Sequence, residues 1–445
     1  MGEAALSARS SHYRPRSPQT SQYYQCIEDN FETFERVYDE RFSRQYGFFR
    51  PFVKDVMYRY LDCGDLHRGF ARIRCPDCGH EQLLAFSCKR RHFCPSCHQK
   101  RVVEFGEWLC MEVVKKVPHR HVVFSIPKIL RRYFLYDRSL LSDLSRCAWE
   151  TLKTLYQCVS GEENAAPGAV IAIQTFGDLL RFNPHCHVLV SDGCFYETGS
   201  FKVAPPPDRK GLEKLFRSKV LNLLLAKGKI TPGTITLLDS WKHTGFTVFC
   251  GERIYPNDDT AMENLARYII RASFSQERMT YLRNEATVVY KAKKGRETKT
   301  FDACEWLAAM CSHIPNQGEQ MVRYYGYYSN VCRGKRQKEK TDDAIPCIIK
   351  TDAASPARRR SWASLIQKIY EVDPLTCPQC KGAMKIISFI EQAEVIKQIL
   401  QHLGLWEAQK RPPPKSSSPP SDYWAAEAIP SYDCIDPDYP FEAYL

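Results

Sequence analysis

The chain has 445 residues, 44% of them hydrophobic and 26% charged, with a formal net charge of +12 at pH 7. That length implies two or three domains with a real core, and no apolar run approaches the roughly 18 residues of a membrane-spanning helix. The polar N-terminus, MGEAALSARSSHYRPRSPQTSQ, lacks the apolar stretch of a secretory signal. The twenty cysteines are therefore expected in a reducing compartment, where clustered thiols bind metal more often than they pair. The positive charge points to a polyanionic partner, nucleic acid first.

Residues 1–21 read as a disordered arm, and a helical pattern follows to Leu61, interrupted at Pro51. The stretch 63–101 carries the first chemistry. Cys75-x2-Cys78 and Cys94-x2-Cys97 stand fifteen residues apart, the spacing of two knuckles that close one tetrahedral zinc site. Cys63, Cys88 and His92 leave enough ligands for a second ion. Lys89, Arg90, Arg91, Lys100 and Arg101 surround the knuckles and suit contact with DNA phosphates; a solvated basic face is the ordinary alternative. Residues 22–118 form, on this reading, a helical and zinc-binding DNA-binding domain.

A helix over 102–117 leads to a strand, HRHVVFSIP (119–127), and to helices at 128–136 and 139–158. Two strands follow, GAVIAIQTFG (168–177) and NPHCHVLV (183–190). Strand side chains alternate faces, so His185 and His187 leave one side and Cys186 the other. Two neutral imidazoles with a third ligand can hold a divalent cation such as Mg²⁺ or Mn²⁺; a pair of surface histidines on a half-exposed strand is the plainer alternative. Gln174 and Asp178 are the nearest upstream third ligands, with Gln174 preferred. His119 and His121 share the spacing but sit beside Pro118 and Arg120, and they read as an exposed strand start.

Further helices at 209–227 and 261–272 flank a strand near 245–250, an order that predicts an α+β sheet layered with helices. In the helix AMENLARYIIRA, Leu265, Ile269, Met262, Ala266 and Ile270 form the apolar arc; Asn264, Arg267, Tyr268 and Arg271 fill the other. A phenol grouped with guanidiniums suits attack on a phosphodiester, although a tyrosine capping the core edge has the same pattern. A hairpin over 287–301, turning near Lys294-Gly295, precedes a short helix and then RYYGYYSN (323–330). Those four tyrosines read as a packing or base-stacking surface, with Tyr324 as a rival nucleophile. Residues 331–360 read as a basic linker and 361–407 as a small C-terminal domain. Its Cys377-x2-Cys380 needs two more ligands, and Cys332, Cys347 or His402 are available. Residues 408–445 read as a disordered tail.

The zinc-knuckle block, QTFGDLLRFNPHCHVLV, ARYIIRASFSQERM, MVRYYGYYSN and DPLTCPQCKGAMKIISFI occur in the order found in rolling-circle transposases of the insertion sequence 91 family. The chain resembles that family over about residues 24–406. The family belongs to the HUH single-strand nucleases, and many members use two tyrosines. Tyr268 is the only tyrosine of its helix here, so the chain resembles the single-tyrosine branch. The resemblance implies an HUH-endonuclease-like antiparallel sheet in a catalytic domain spanning 119–330. It further implies Mg²⁺ or Mn²⁺ on His185 and His187, structural Zn²⁺, and Tyr268 as nucleophile beside Arg267 and Arg271. The product would be a 5′-phosphotyrosine link to single-stranded DNA at element ends and targets, in the nucleoid of a bacterial cytoplasm. A plasmid rolling-circle replication initiator and a zinc-dependent, non-catalytic DNA-binding regulator are the alternatives.

Overall fold

The computed structural model describes residues 17–90, 92–160, 165–196, 200–293, 297–339 and 375–406. Arg91, the hairpin turn at Lys294-Gly295, most of the expected linker, the tail and the first sixteen residues of the arm lie outside them. The chain opens with α1 (Gln22–Arg41), α2 (Ser43–Tyr46) and α3 (Phe52–Leu61). The Ser21 side chain caps α1 by accepting from Tyr24 N, and Pro51, which cannot continue a helix interior, precedes α3. Next come β1 (Phe70–Arg74), β2 (Glu81–Ala85) and α4 (Pro95–Trp108), which runs on as a π-helical turn to Val113. α4 begins seven residues before the helix the periodicity suggests, because Pro95 sets its first turn directly on the Cys94 knuckle.

The middle of the chain supplies β3 (His119–Ser125), α5 (Lys128–Tyr136), α6 (Ser139–Ser160), β4 (Gly168–Phe176) and β5 (Phe182–Ser191). A small hairpin of β6 (Gly193–Phe195) and β7 (Phe201–Val203) follows, then α7 (Arg209–Ala226), α8 (Pro232–Asp239), β8 (Thr247–Ile254) and α9 (Asp259–Ile269). Three strands, β9 (Met279–Leu282), β10 (Thr287–Lys291) and β11 (Thr298–Asp302), form a separate antiparallel sheet that α10 (Ala303–Ser312) covers. The expected hairpin is its β10–β11 pair. The first helices pack on this sheet and on α10 through an aromatic core, with the Tyr23 and Trp306 ring centroids 5.5 Å apart.

The class is α+β, as the order of elements predicts. Its central sheet runs β12 (Val322–Gly326), β4, β5, β3, β8, and every neighbouring pair is antiparallel. Helices cover both faces, so β4 and β5 are buried along almost their full length and lose the polar alternation of a half-exposed strand. Ile171, Ile173, Cys186 and Val188 pack against α5, α6 and α7 on one side. Val170, Ala172 and Leu189 pack against α4 and α9 on the other. Period-2 alternation places Gln174, His185 and His187 on this second face, under α9.

α11 (Asn330–Glu339) occupies the start of the expected linker. The C-terminal segment does not stand apart as a small domain. Its strand β13 (Lys385–Ile390) pairs antiparallel with β1, giving the sheet β13-β1-β2, and α12 (Ala393–His402) packs Ile396 and Leu400 against Phe70. β1 has two open edges, and only one is filled by its sequence neighbour β2; no local pattern announces what fills the other.

Just after β5, the fully buried Asp192 accepts from Arg120 Nε at 3.1 Å and Nη2 at 2.8 Å, and also from Arg253 Nε. One carboxylate thus compensates cations from β3 and β8. Asp192→Asn leaves two guanidiniums without a counter-charge and is expected to cost about 3–5 kcal/mol, measured by urea unfolding at pH 7; a loss below about 1 kcal/mol would mean that solvent reaches the pair.

Candidate active site and metal centres

β5 delivers its two histidines under α9. His185 Nδ1 lies 2.7 Å from the Asn183 carbonyl oxygen, which can only accept, so Nδ1 carries the proton and Nε2 presents a lone pair. His187 Nε2 lies 3.2 Å from that atom. Two ligand nitrogens each about 2.1 Å from a shared cation stand about 3 Å apart. His187 Nδ1 in turn meets His121 Nε2 at 2.9 Å, the two rings nearly parallel. Donation from His187 Nδ1–H to His121 leaves His187 Nε2 free to ligate.

This overturns the reading of His119 and His121 as an exposed strand start. His119 is fully buried with Nε2 2.7 Å from the Tyr328 hydroxyl, and His121 braces His187 from the neighbouring strand. Burial lowers the His121 and His185 pKa values to about 4. Burial, with the adjacent His185 and His121, lowers that of His187 to about 2. All three are neutral at pH 7, the form that binds metal.

Gln174 stands directly across the ladder from His185. Its Nε2 donates to the Ile269 carbonyl at 2.8 Å, while Oε1 is buried with no hydrogen-bond partner. A buried amide oxygen without a donor is costly, and a cation beside the two imidazoles would satisfy it. The donor set fits a divalent ion. Asp178 is used elsewhere: its carboxylate accepts from Arg278 at 3.3 Å and from the Lys293 amide.

Tyr268 lies on the last turn of α9. The helix ends at Ile269, three residues earlier than the periodicity suggests, because side chains claim its final carbonyls. Gln174 takes Ile269 O, and His98 Nε2 donates to Ile270 O at 2.9 Å. Tyr268 is 39% exposed. Its ring stands edge-on to His187 with centroids 5.4 Å apart, and 6.1 Å from His121. Arg271 Cζ lies 4.9 Å from the Tyr268 ring centroid, and its Nε is buried without a partner. Lys293 Nζ lies 5.7 Å from the same ring; this residue enters from the β10–β11 hairpin, and no local signal marked it. Arg267 does not join the group: it is paired with Glu263 at 2.7 Å and lies along Gly106 of α4. One residue on a helix is about 100° of rotation, which turns Arg267 away from the side where Tyr268 meets the histidines.

The thiols gather into two sets of four, but not as the spacing suggests. Cys75 and Cys78 do not share a site with Cys94 and Cys97. Cys63, Cys88, Cys94 and Cys97 form one group, and Cys75, Cys78, Cys377 and Cys380 the other. Sγ separations are 3.8 Å for Cys63–Cys94 and 3.6 Å for Cys88–Cys97. They are 3.4 Å for both Cys75–Cys380 and Cys78–Cys377. The β1–β2 turn carries its knuckle to the one beside β13, while the knuckle at the start of α4 is closed by Cys63 and Cys88 from the segments after α3 and β2. Cys332 and His402 are not partners of the C-terminal pair, and Cys347 lies outside the described residues. His92 is not in either set; its amide donates to His98 Nδ1. Four thiolates are the donor set of a structural zinc site. Of the basic residues around the knuckles, Arg90 is paired with Asp55 and Lys100 lies 3.8 Å from Glu104. Lys89 adopts a positive φ of 54° in the turn, and Arg101 lines a cavity beside Ile270.

Residues 33–126 match the family model described as "Transposase zinc-binding domain", and residues 168–336 the one described as "Putative transposase". By class the chain is a transposase that carries structural zinc. It is 24% identical over 357 residues, 76% of this chain and 84% of the relative, to "Transposase for insertion sequence element IS801" of Pseudomonas savastanoi pv. phaseolicola. It is 23% identical over 383 residues, 80% of this chain and 94% of the relative, to "Putative transposase y4qJ" of Sinorhizobium fredii. The chain belongs to the insertion sequence 91 family of transposases with an N-terminal zinc-binding domain. No solved structure matches it. Among the described residues, no helix is long and apolar enough to cross a membrane.

The thiol grouping predicts two zinc ions per chain by elemental analysis. Cys377→Ser with Cys380→Ser should reduce this to one; a single site built from Cys75, Cys78, Cys94 and Cys97 would be unaffected. The histidines predict an acid dependence. Their folded pKa values lie below the ordinary 6.5, so the unfolded chain takes up protons first as pH falls from about 6.5 towards 4. Stability is then full above 6.5 and declines through that window. His187→Gln should flatten the fall in melting temperature between pH 7 and pH 5; an unchanged slope would mean that His187 is solvated.

Proposed function

We propose that this transposase cuts and rejoins single-stranded DNA through a covalent bond to Tyr268, in the manner of HUH rolling-circle enzymes. One observation carries the reading: the Tyr268 ring stands against His187, whose Nε2 faces that of His185, with the orphaned Gln174 oxygen on the same face of the sheet. His185, His187 and Gln174 would hold Mg²⁺ or Mn²⁺, and a cation there supplies charge stabilisation to the scissile phosphate.

The chain's own residues do the rest. Arg271, with an uncommitted Nε, and Lys293 are positioned to bind phosphate oxygens beside the phenol. The phenol loses its proton and its oxygen attacks phosphorus; the bond to the leaving 3′-oxygen breaks, and that oxygen takes a proton. A phosphotyrosine ester on the 5′ side replaces the DNA ester. Because one phosphodiester replaces another, attack by a new 3′-hydroxyl reverses the step without a nucleotide cofactor. His121 holds the His187 ring and is a positioning residue. Tyr324 is a poor rival: it is largely enclosed edge-on to Trp108, and burial pushes its pKa up to about 12. We place this activity in the bacterial cytoplasm, at the DNA of the nucleoid.

The test is a covalent adduct between the purified protein and a single-stranded oligonucleotide in Mg²⁺ or Mn²⁺, read on a denaturing gel. Tyr268→Phe should abolish the adduct while DNA binding persists, and Tyr324→Phe should keep it. His121→Ala should lower the apparent metal affinity about 10–100-fold. An adduct that survives Tyr268→Phe would move the nucleophile to another residue.

A further inference from the structure

A cavity of about 470 Å³ opens beside the catalytic centre, within the roughly 300–1,000 Å³ of clefts that take small ligands. One wall is α4 and the other is β12, the edge strand of the central sheet. Ile270, two residues past Tyr268, lines it. Its rim residues Gln320 and Met321 run alongside Gln174, since Ile173 N donates to Met321 O. The cavity therefore lies beside the strand that carries Gln174 and beside the end of α9.

Its charge is positive and in part uncommitted. Arg101 lines it from α4 and Arg323 from the other face of the edge strand, beside Tyr325, and Arg323 Nε is buried without a hydrogen-bond partner. The one carboxylate in the wall, Glu319, is neutralised by Arg138 at 3.0 Å. At its end Arg333 lies over the rings of Trp108 and Tyr324, with Cζ 5.1 Å and 5.4 Å from their centroids. Guanidinium planes and aromatic rings are the surfaces on which unpaired bases stack. An edge strand also presents backbone groups that no neighbouring strand satisfies.

We infer that the groove between α4 and β12 is the track that holds the single strand next to the scissile phosphate, with phosphates on Arg101 and Arg323 and a base against Arg333 and Tyr324. The inference rests on the nuclease reading above and adds the path of its substrate. Duplex DNA does not fit this track, because a base stacked in this way must be unpaired. The groove's inner wall begins at the Cys94–Cys97 knuckle, so the zinc-bearing helix is also a substrate wall.

The experiment uses full-length, zinc-loaded Tyr268→Phe protein and a fluorescent single-stranded oligonucleotide, with anisotropy measured across a salt series. Arg323→Gln and Arg101→Gln should each weaken binding several-fold and reduce the slope of log K against log salt by about 0.7, the value for one single-strand phosphate contact. Arg333→Ala should weaken binding about fivefold or more, with melting temperature and zinc content unchanged in all three variants. Wild-type affinity and slope in these variants would overturn the track, as would an equal loss on duplex DNA of the same sequence. The adduct assay is independent: if Tyr268→Phe leaves the adduct intact, the nucleophile is wrong, and the salt slopes still decide the groove.

Discussion

Two hydrogen bonds hold the end of α9, and the placement of Tyr268 beside His187 depends on both. Gln174 reaches Ile269 O from the central sheet, and His98 reaches Ile270 O from the helix that starts at the second zinc knuckle. Each donor is locked in turn. The Gln174 nitrogen is committed, which leaves its oxygen on the histidine face; His98 accepts the His92 amide at Nδ1, which fixes the proton on Nε2. Tyr268 is thus held from two directions, one through the strand that carries the expected metal ligand and one through a residue adjacent to Cys97. Loss of the metal at Cys63, Cys88, Cys94 and Cys97 would free the start of α4 and with it the His98 contact. Zinc at that site would therefore act on the position of Tyr268 through the start of α4.

The parts of this arrangement that were legible in the sequence are those governed by local periodicity. The HxH alternation fixed a shared face for His185 and His187, and the two-arc pattern of AMENLARYIIRA put Tyr268 and Arg271 opposite the core. Nearness in sequence makes Gln174 and Asp178 candidate third ligands, and the ladder sets Gln174 directly opposite His185. Strand and helix bounds around the central sheet fell close to those expected, because long apolar runs flanked by Gly, Pro and Asn leave little freedom.

What was not legible depends on register and on distant chain. The bracing role of His121 appears only once β3 is laid beside β5; alone, a histidine next to Pro118 and Arg120 looks like an exposed strand end. The thiol connectivity is a stronger case. Four knuckle cysteines at zinc spacing permit several pairings, as disulfide frameworks do, and the partner of Cys78 lies 299 positions away. Arg267 and Arg271 are equivalent as composition, and the ion pair with Glu263 separates them. Lys293 reaches the site through the β10–β11 hairpin, whose placement no sequence spacing encodes.

The pairing of β13 with β1 has a consequence for how the protein is made. A ribosome emits β1 early, but β1 gains its second neighbour, and Cys75 and Cys78 their remaining thiols, only after Cys377, Cys380 and β13 have emerged. Until then that edge stays open while the central sheet is already being assembled. Completion of this sheet and its thiol set thus waits on residues 299 positions beyond Cys78, and a product terminated before them would carry an unsealed amino-terminal ribbon.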